Sequence, residues 1–111
     1  MIRARSPYRS SMTDLPAGKV RVENVNHPGY TRVVDKAKYD ATREALLAAL
    51  PKHPPGLTQA EMIEATTRQL PHDLFPGGEK AAWWTKCAQL DLEAKGLVSR
   101  DGGKPLRWTR A

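Results

Sequence analysis

Cysteine is nearly absent from this sequence. Cys87 stands alone among 111 residues, which removes any intramolecular disulfide and any reading as a cross-linked secreted scaffold. Long apolar runs are missing as well, and no stretch approaches the ~18–20 residues that a membrane-crossing helix needs. Histidine is sparse: His27, His53 and His72 all sit in turns or Pro-flanked segments, no two at helix-face spacing. With nothing metal-binding beside Cys87, no metal site is expected. His72-Asp73 has no signalled nucleophile, so the chain reads as a non-enzyme with no catalytic residues and no cofactor. The N-terminus is basic but has no apolar segment behind it. A secretory signal is therefore not expected, and the cytoplasm is the default location. Met12 is an alternative start.

What the sequence does have is positive charge at its ends. The net charge is +6, with hydrophobic residues at 40% and charged residues at 27%, an ordinary globular composition. Residues 1–38 carry eight Lys/Arg against three acids, residues 39–95 six against eight, and residues 96–111 four against one. An acidic middle between basic ends suggests an anionic partner, although solubility alone also favours such asymmetry. The length fits one compact domain. Residues 1–16 read as a disordered basic tail and residues 17–111 as the domain.

Within that domain the signals are local and readable. Val20 and Val22 alternate with Lys19, Arg21 and Glu23, the period of a half-buried strand. Pro28-Gly29 supplies a turn, and Tyr30 to Val34 a return strand; together they predict a β-hairpin. A first helix opens at Asp35, whose carboxylate can cap it. Tyr39, Leu46, Leu47 and Leu50 form its apolar stripe, and Pro51 ends it. Thr58-Gln59-Ala60-Glu61 is a capping box for a second helix, with Leu57 and Met62 placed as its hydrophobic staple. Met62, Ile63, Thr66 and Leu70 line the expected inner face, and Leu74 and Phe75 anchor the loop that follows.

A third helix is expected from about Glu79 to Lys95, with Gly96 as its left-handed C′ residue. Trp83, Cys87, Leu90 and Ala94 share one stripe at ~100° per residue. Ala81, Trp84, Ala88 and Leu92 make a second apolar strip, leaving a polar face at Ala82, Lys86, Gln89 and Glu93. Trp83, Leu90 and Trp108 are expected to meet in a common interior. Trp84 is expected in the core under the first hairpin, with a dimer or ligand surface as the alternative; Cys87 is expected to be buried and inert. Gly77-Gly78 reads as loop flexibility, the alternative being an anion site at the helix N-terminus. Leu97 to Arg100, a turn at Asp101-Gly102-Gly103-Lys104, and Leu106 to Arg110 form a second hairpin with a basic tip.

Three helices followed directly by a hairpin resemble the winged-helix superfamily over about residues 36–110. The resemblance rests on Trp83 to Val98, especially Leu92-Glu93-Ala94-Lys95-Gly96-Leu97-Val98, then the Gly-rich tip and Leu106-Arg107-Trp108. The chain also resembles an uncharacterised bacterial family sharing Leu-Thr-Gln-Ala-Glu-Met and Asp-Leu-Phe-Pro-Gly-Gly (57–62 and 73–78). The implied fold is α+β: a three-helix bundle with a C-terminal wing, preceded by an N-terminal hairpin. In DNA-binding winged helices the third helix enters the major groove and the wing touches the backbone. That resemblance assigns base contacts to Lys86 and Gln89, with Thr85 beside them. Arg100, Lys104, Arg107 and Arg110 become phosphate contacts, and Arg3, Arg5 and Arg9 a flexible arm. Glu79, Asp91 and Glu93 depart from this pattern by leaving the third helix about neutral. DNA binding through the wing and helix is therefore expected to be weak and non-specific. The competing reading is a protein-interaction or homodimerisation module.

Overall fold

A computed structural model describes residues 15–111. The Arg3, Arg5 and Arg9 arm, and the first fourteen residues of the expected tail, lie outside the described residues. Strands β1 (Lys19–Glu23) and β2 (Thr31–Asp35) pair antiparallel, Lys19 opposite Asp35 and Glu23 opposite Thr31. Between them the Tyr30 N–H donates to the His27 carbonyl at 3.0 Å. Pro28 and Gly29 fill the two central positions, with Gly29 at φ 89°, the left-handed value that a type II turn requires. Val22 and Val34 turn inward and are buried.

Asp35 ends β2 and starts helix α1 (Lys36–Ala49), its carboxylate accepting from the Lys38 N–H at 3.0 Å. Helix α2 (Gln59–Gln69) begins with the expected capping box: the Thr58 hydroxyl accepts from the Glu61 N–H, and the Glu61 carboxylate accepts from the Thr58 N–H. Those hydrogen bonds hold the Glu61 carboxyl below the usual carboxylate range. After α2, Phe75 is buried and meets Trp84 edge-to-face at 6.3 Å. Helix α3 (Ala81–Ala94) ends as its sequence predicts. The Leu97 N–H donates to Leu92 O at 2.9 Å and the Gly96 N–H to Glu93 O at 3.1 Å, with Gly96 at φ 76°, a Schellman ending. Strands β3 (Val98–Asp101) and β4 (Arg107–Arg110) form the second hairpin.

The result is the α+β order expected: hairpin, three helices, hairpin. The helices pack on one another pairwise, the first hairpin lies against α1 and α3, and β3 lies against α3. One further pairing ties the ends together. Leu57, in the α1–α2 connection, bridges antiparallel to Trp108 of β4, through Leu57 N–H to Trp108 O at 3.0 Å and Trp108 N–H to Leu57 O at 2.8 Å.

The interior differs from expectation, most of all along α3. Trp108 is buried, but Trp83 is 42% exposed and Leu90 and Cys87 are half-buried. The inward arc of α3 is instead Ala81, Trp84, Thr85, Ala88, Gln89, Asp91 and Leu92. The two adjacent Trp side chains diverge by about one 100° step, so only one can enter the bundle. Trp84 does, against Phe75, and Trp83 is left on the outer edge at 5.0 Å from its neighbour. Leu106, two residues before the buried Trp108, is also exposed.

Asp91 is the unexpected member of that inward arc. It is fully buried, where a lone carboxylate would be very costly. Three elements satisfy it. The Glu23 N–H donates to Oδ1 at 2.8 Å, Lys95 Nζ to Oδ2 at 2.9 Å, and the Tyr39 hydroxyl to Oδ2. Asp91 thus joins the end of β1, the first turn of α1 and the last turn of α3.

Burial, followed by the hydrogen bond to Asp91, keeps the Tyr39 hydroxyl protonated above the ordinary tyrosine range. Burial, followed by the Asp91 charge, pushes the Cys87 thiol up to about 11. Both groups hold their protons longer in the folded chain than in the unfolded one, so the folded state binds more protons at alkaline pH and loses stability as pH rises. The urea midpoint is expected to fall between pH 9 and pH 11; a midpoint that stays flat or rises there would contradict this burial.

Candidate nucleic-acid interface

The cations of the second hairpin are mostly engaged with the protein. Arg100 donates from Nε and Nη2 to the Glu93 carboxylate at 3.0 and 3.2 Å and lies over the Trp108 ring at 5.4 Å. Arg107 Nη1 donates to Gly56 O at 3.0 Å and to Glu61 Oε1 at 3.4 Å. Arg110 Nε donates to Leu50 O at 3.0 Å. These three side chains fasten the second hairpin to the helices. Lys104, at the exposed tip, has no ion pair or hydrogen bond among the described residues.

The base-contacting assignment divides in two. Gln89 is 1% exposed; it accepts from Gln59 Nε2 at 3.0 Å and donates to Glu93 Oε2 at 2.9 Å. Its position on the helical wheel is polar, but α2 covers that edge of α3, so a base cannot reach it. Thr85 is likewise buried, its hydroxyl donating to Ala81 O at 2.8 Å. Lys86 alone stands exposed on the outer face of α3.

A second surface joins Lys86 to hairpin residues that the sequence does not assign to any site. An open groove of about 590 Å³ runs between the first hairpin and α3. Val22, Glu23, Asn24, His27, Tyr30 and Arg32 form its hairpin wall, and Trp83, Lys86, Cys87 and Leu90 its helical wall. The hairpin is held there by the Val25 N–H donating to Leu90 O at 3.3 Å and by the Glu23–Asp91 bond. Tyr30 is 52% exposed and meets His27 edge-on at 6.5 Å. The Arg32 guanidinium lies 5.1 Å from the Trp83 ring centre, within cation–π range. The groove therefore combines the exposed Trp83 and Tyr30 rings and the Arg32 and Lys86 cations with a single carboxylate, Glu23. The available sequence signal was the Trp83-Trp84 pair, one of which has to face outward. Nothing local indicates that the hairpin brings Tyr30 and Arg32 beside it.

Among the described residues, no group of three or more His, Cys, Asp or Glu side chains gathers as a metal site would need, and no helix is long and apolar enough to cross a membrane. Fold and surface define an α+β domain of three helices between two hairpins, with an aromatic, cationic groove on one side. The chain belongs to DUF6958, a family of unknown function, whose profile matches residues 19–108. No curated protein and no solved structure matches it.

Proposed function

We propose that this chain is a non-enzymatic winged-helix module that binds nucleic acid through the groove between its first hairpin and α3. The winged-helix assignment is supported by the Leu57–Trp108 bridge. That bridge puts a short extended segment between α1 and α2 against the wing, giving the order helix, strand, helix, helix, strand, strand. The observation that carries the binding surface is the meeting of Trp83 and Tyr30 with Arg32 and Lys86 in one open groove. Nucleic-acid grooves commonly combine cations for the phosphates with aromatic faces for the bases. The wing contributes less than its sequence suggests, because Arg100, Arg107 and Arg110 are tied to Glu93, Glu61 and main-chain carbonyls.

Trp, Tyr and Arg are also the residues that anchor protein interfaces, which keeps a homodimer as the second reading. Charge weighs against it, since two copies of this groove would bring like charges together. Titration with labelled nucleic acid is expected to show micromolar or weaker binding that loses about tenfold between 50 and 200 mM salt. Arg32→Glu with Lys86→Glu is expected to abolish binding, and Lys104→Glu to change it by less than about twofold. Absence of binding at low salt contradicts the proposal, as does indifference to the double reversal. A dimer by light scattering that Trp83→Ala dissociates would favour the second reading.

A further inference from the structure

We infer that the groove takes an unpaired base of single-stranded nucleic acid, stacked against Trp83, with the flanking phosphates on Lys86 and Arg32. This rests on the nucleic-acid reading above and specifies its ligand. Four observations support it.

First, α3 is poorly suited to enter a major groove. Gln89 and Thr85 are buried, leaving Lys86 as the one predicted base-reading side chain that remains exposed. The hairpin also bonds to Leu90 and Asp91 and so stands beside the half of the helix that a duplex would have to straddle.

Second, the exposed groups are flat rings. Trp83 and Tyr30 are 42% and 52% exposed, and a ring cannot read base edges through hydrogen bonds as a polar side chain does. It can stack on a base face, which a duplex hides and a single strand presents. Third, the site is concave, and at about 590 Å³ it falls within the range of small-molecule pockets. One base with its sugar fits such a volume, while the rod of a duplex does not enter it.

Fourth, the charges are arranged for an anion that carries a ring. Arg32 already lies against Trp83, so an incoming base and its phosphate would meet indole and guanidinium together. Lys86, three residues on from Trp83, faces the same groove. The Asn24 side chain lines the hairpin wall; its carbonyl oxygen accepts from the Asn26 N–H, which leaves its amide hydrogens for a base edge. A run of Asp and Glu would match the cations but offers no ring face for Trp83, so the rings favour nucleic acid.

The test is to titrate the full chain with a labelled twelve-nucleotide oligothymidylate and, separately, with a duplex of the same length at the same ionic strength. The single strand is expected to bind at least about tenfold more tightly and to quench tryptophan fluorescence. Trp83→Ala should weaken single-strand binding by about tenfold, with Trp83→Phe recovering part of the loss. Tyr30→Ala, on an exposed turn away from the packed interior, should weaken it several-fold with an unchanged circular-dichroism spectrum. Equal or tighter duplex binding, insensitive to Trp83→Ala and Tyr30→Ala, would overturn base stacking and leave the broader nucleic-acid reading standing. No binding of either oligonucleotide would overturn both. Displacement of the single strand by poly-glutamate at equal charge concentration would show that charge alone suffices and would overturn the inference.

Discussion

Asp91→Ala is expected to destabilise the fold by about 3–5 kcal/mol, the range for removing one member of a buried, charge-assisted cluster. The deletion strands two donors. The Tyr39 hydroxyl and the Glu23 N–H both point at Asp91, and neither has another partner among the described residues. Each such loss costs on the order of 1–3 kcal/mol. Lys95 contributes less, because its side chain is 40% exposed and water can replace the carboxylate. Against a typical stability of ~5–15 kcal/mol, the change is enough to leave the domain marginal at 37 °C.

Chemical denaturation of three variants tests this account. Tyr39→Phe removes donor and demand together and should cost only about 1–2 kcal/mol. The double variant should then lose less than the sum of the singles, since the stranded hydroxyl is gone. Additive losses would mean that Tyr39 and Asp91 are not coupled. The first hairpin should suffer beyond the average, because the Glu23–Asp91 bond joins it to α3; its amides should exchange with solvent faster than those of α2.

Gly56→Ala is expected to be about as damaging, by a different mechanism. A Cβ built on Gly56 would lie 2.0 Å from the Trp108 carbonyl oxygen and 2.8 Å from its nitrogen. These are backbone atoms, so no side chain can swing aside. The connection must move away from β4, breaking both hydrogen bonds of the Leu57–Trp108 bridge and opening the cover over a Trp that is 4% exposed. Two backbone hydrogen bonds at about 1 kcal/mol each, with the strain of overpacking at ~1–3 kcal/mol, give a loss of about 3 kcal/mol or more. For a domain of this size that lowers the melting temperature by at least about 12 °C. Gly102→Ala is the control: nothing lies within 4 Å of its Cβ position, and its melting temperature should match the wild type to within about 2–3 °C. Equal melting of the Gly56 variant and wild type would show that β4 does not approach the α1–α2 connection this closely.

The features that the sequence predicts correctly are those with short-range causes. The Thr58–Glu61 box spans three residues, the Pro28-Gly29 turn needs only the φ values of two residues, and the Gly96 ending is set by the helix it terminates. Element order follows from the same signals. The features it misses depend on partners distant in the chain. The sequence shows Asp91 only as one of the acids that neutralise the third helix, because its partners, Tyr39 and Glu23, lie 52 and 68 residues away. Gln89 is polar and its place on the helical wheel points outward, yet Gln59 of α2, thirty residues earlier, draws it inside. Trp83 and Trp84 are equally hydrophobic neighbours, and the choice between them is made by Phe75 and by the side on which the first hairpin docks.

The candidate site depends on distant partners in the same way. Lys86 is exposed, while Arg100, Arg107 and Arg110 meet carboxylates and carbonyls that the sequence alone does not pair with them. Tyr30 and Arg32, which the sequence shows only as part of a strand, form the opposite wall of the groove.

The three indole N–H signals, followed by nitrogen-15 NMR as oligothymidylate is added, address the central claim most directly. Trp83 borders the groove, whereas Trp84 and Trp108 are buried. The account predicts a progressive shift of the Trp83 signal, with the other two nearly still. A stationary Trp83 signal, with the moving resonances confined to the second hairpin around Lys104, would contradict it.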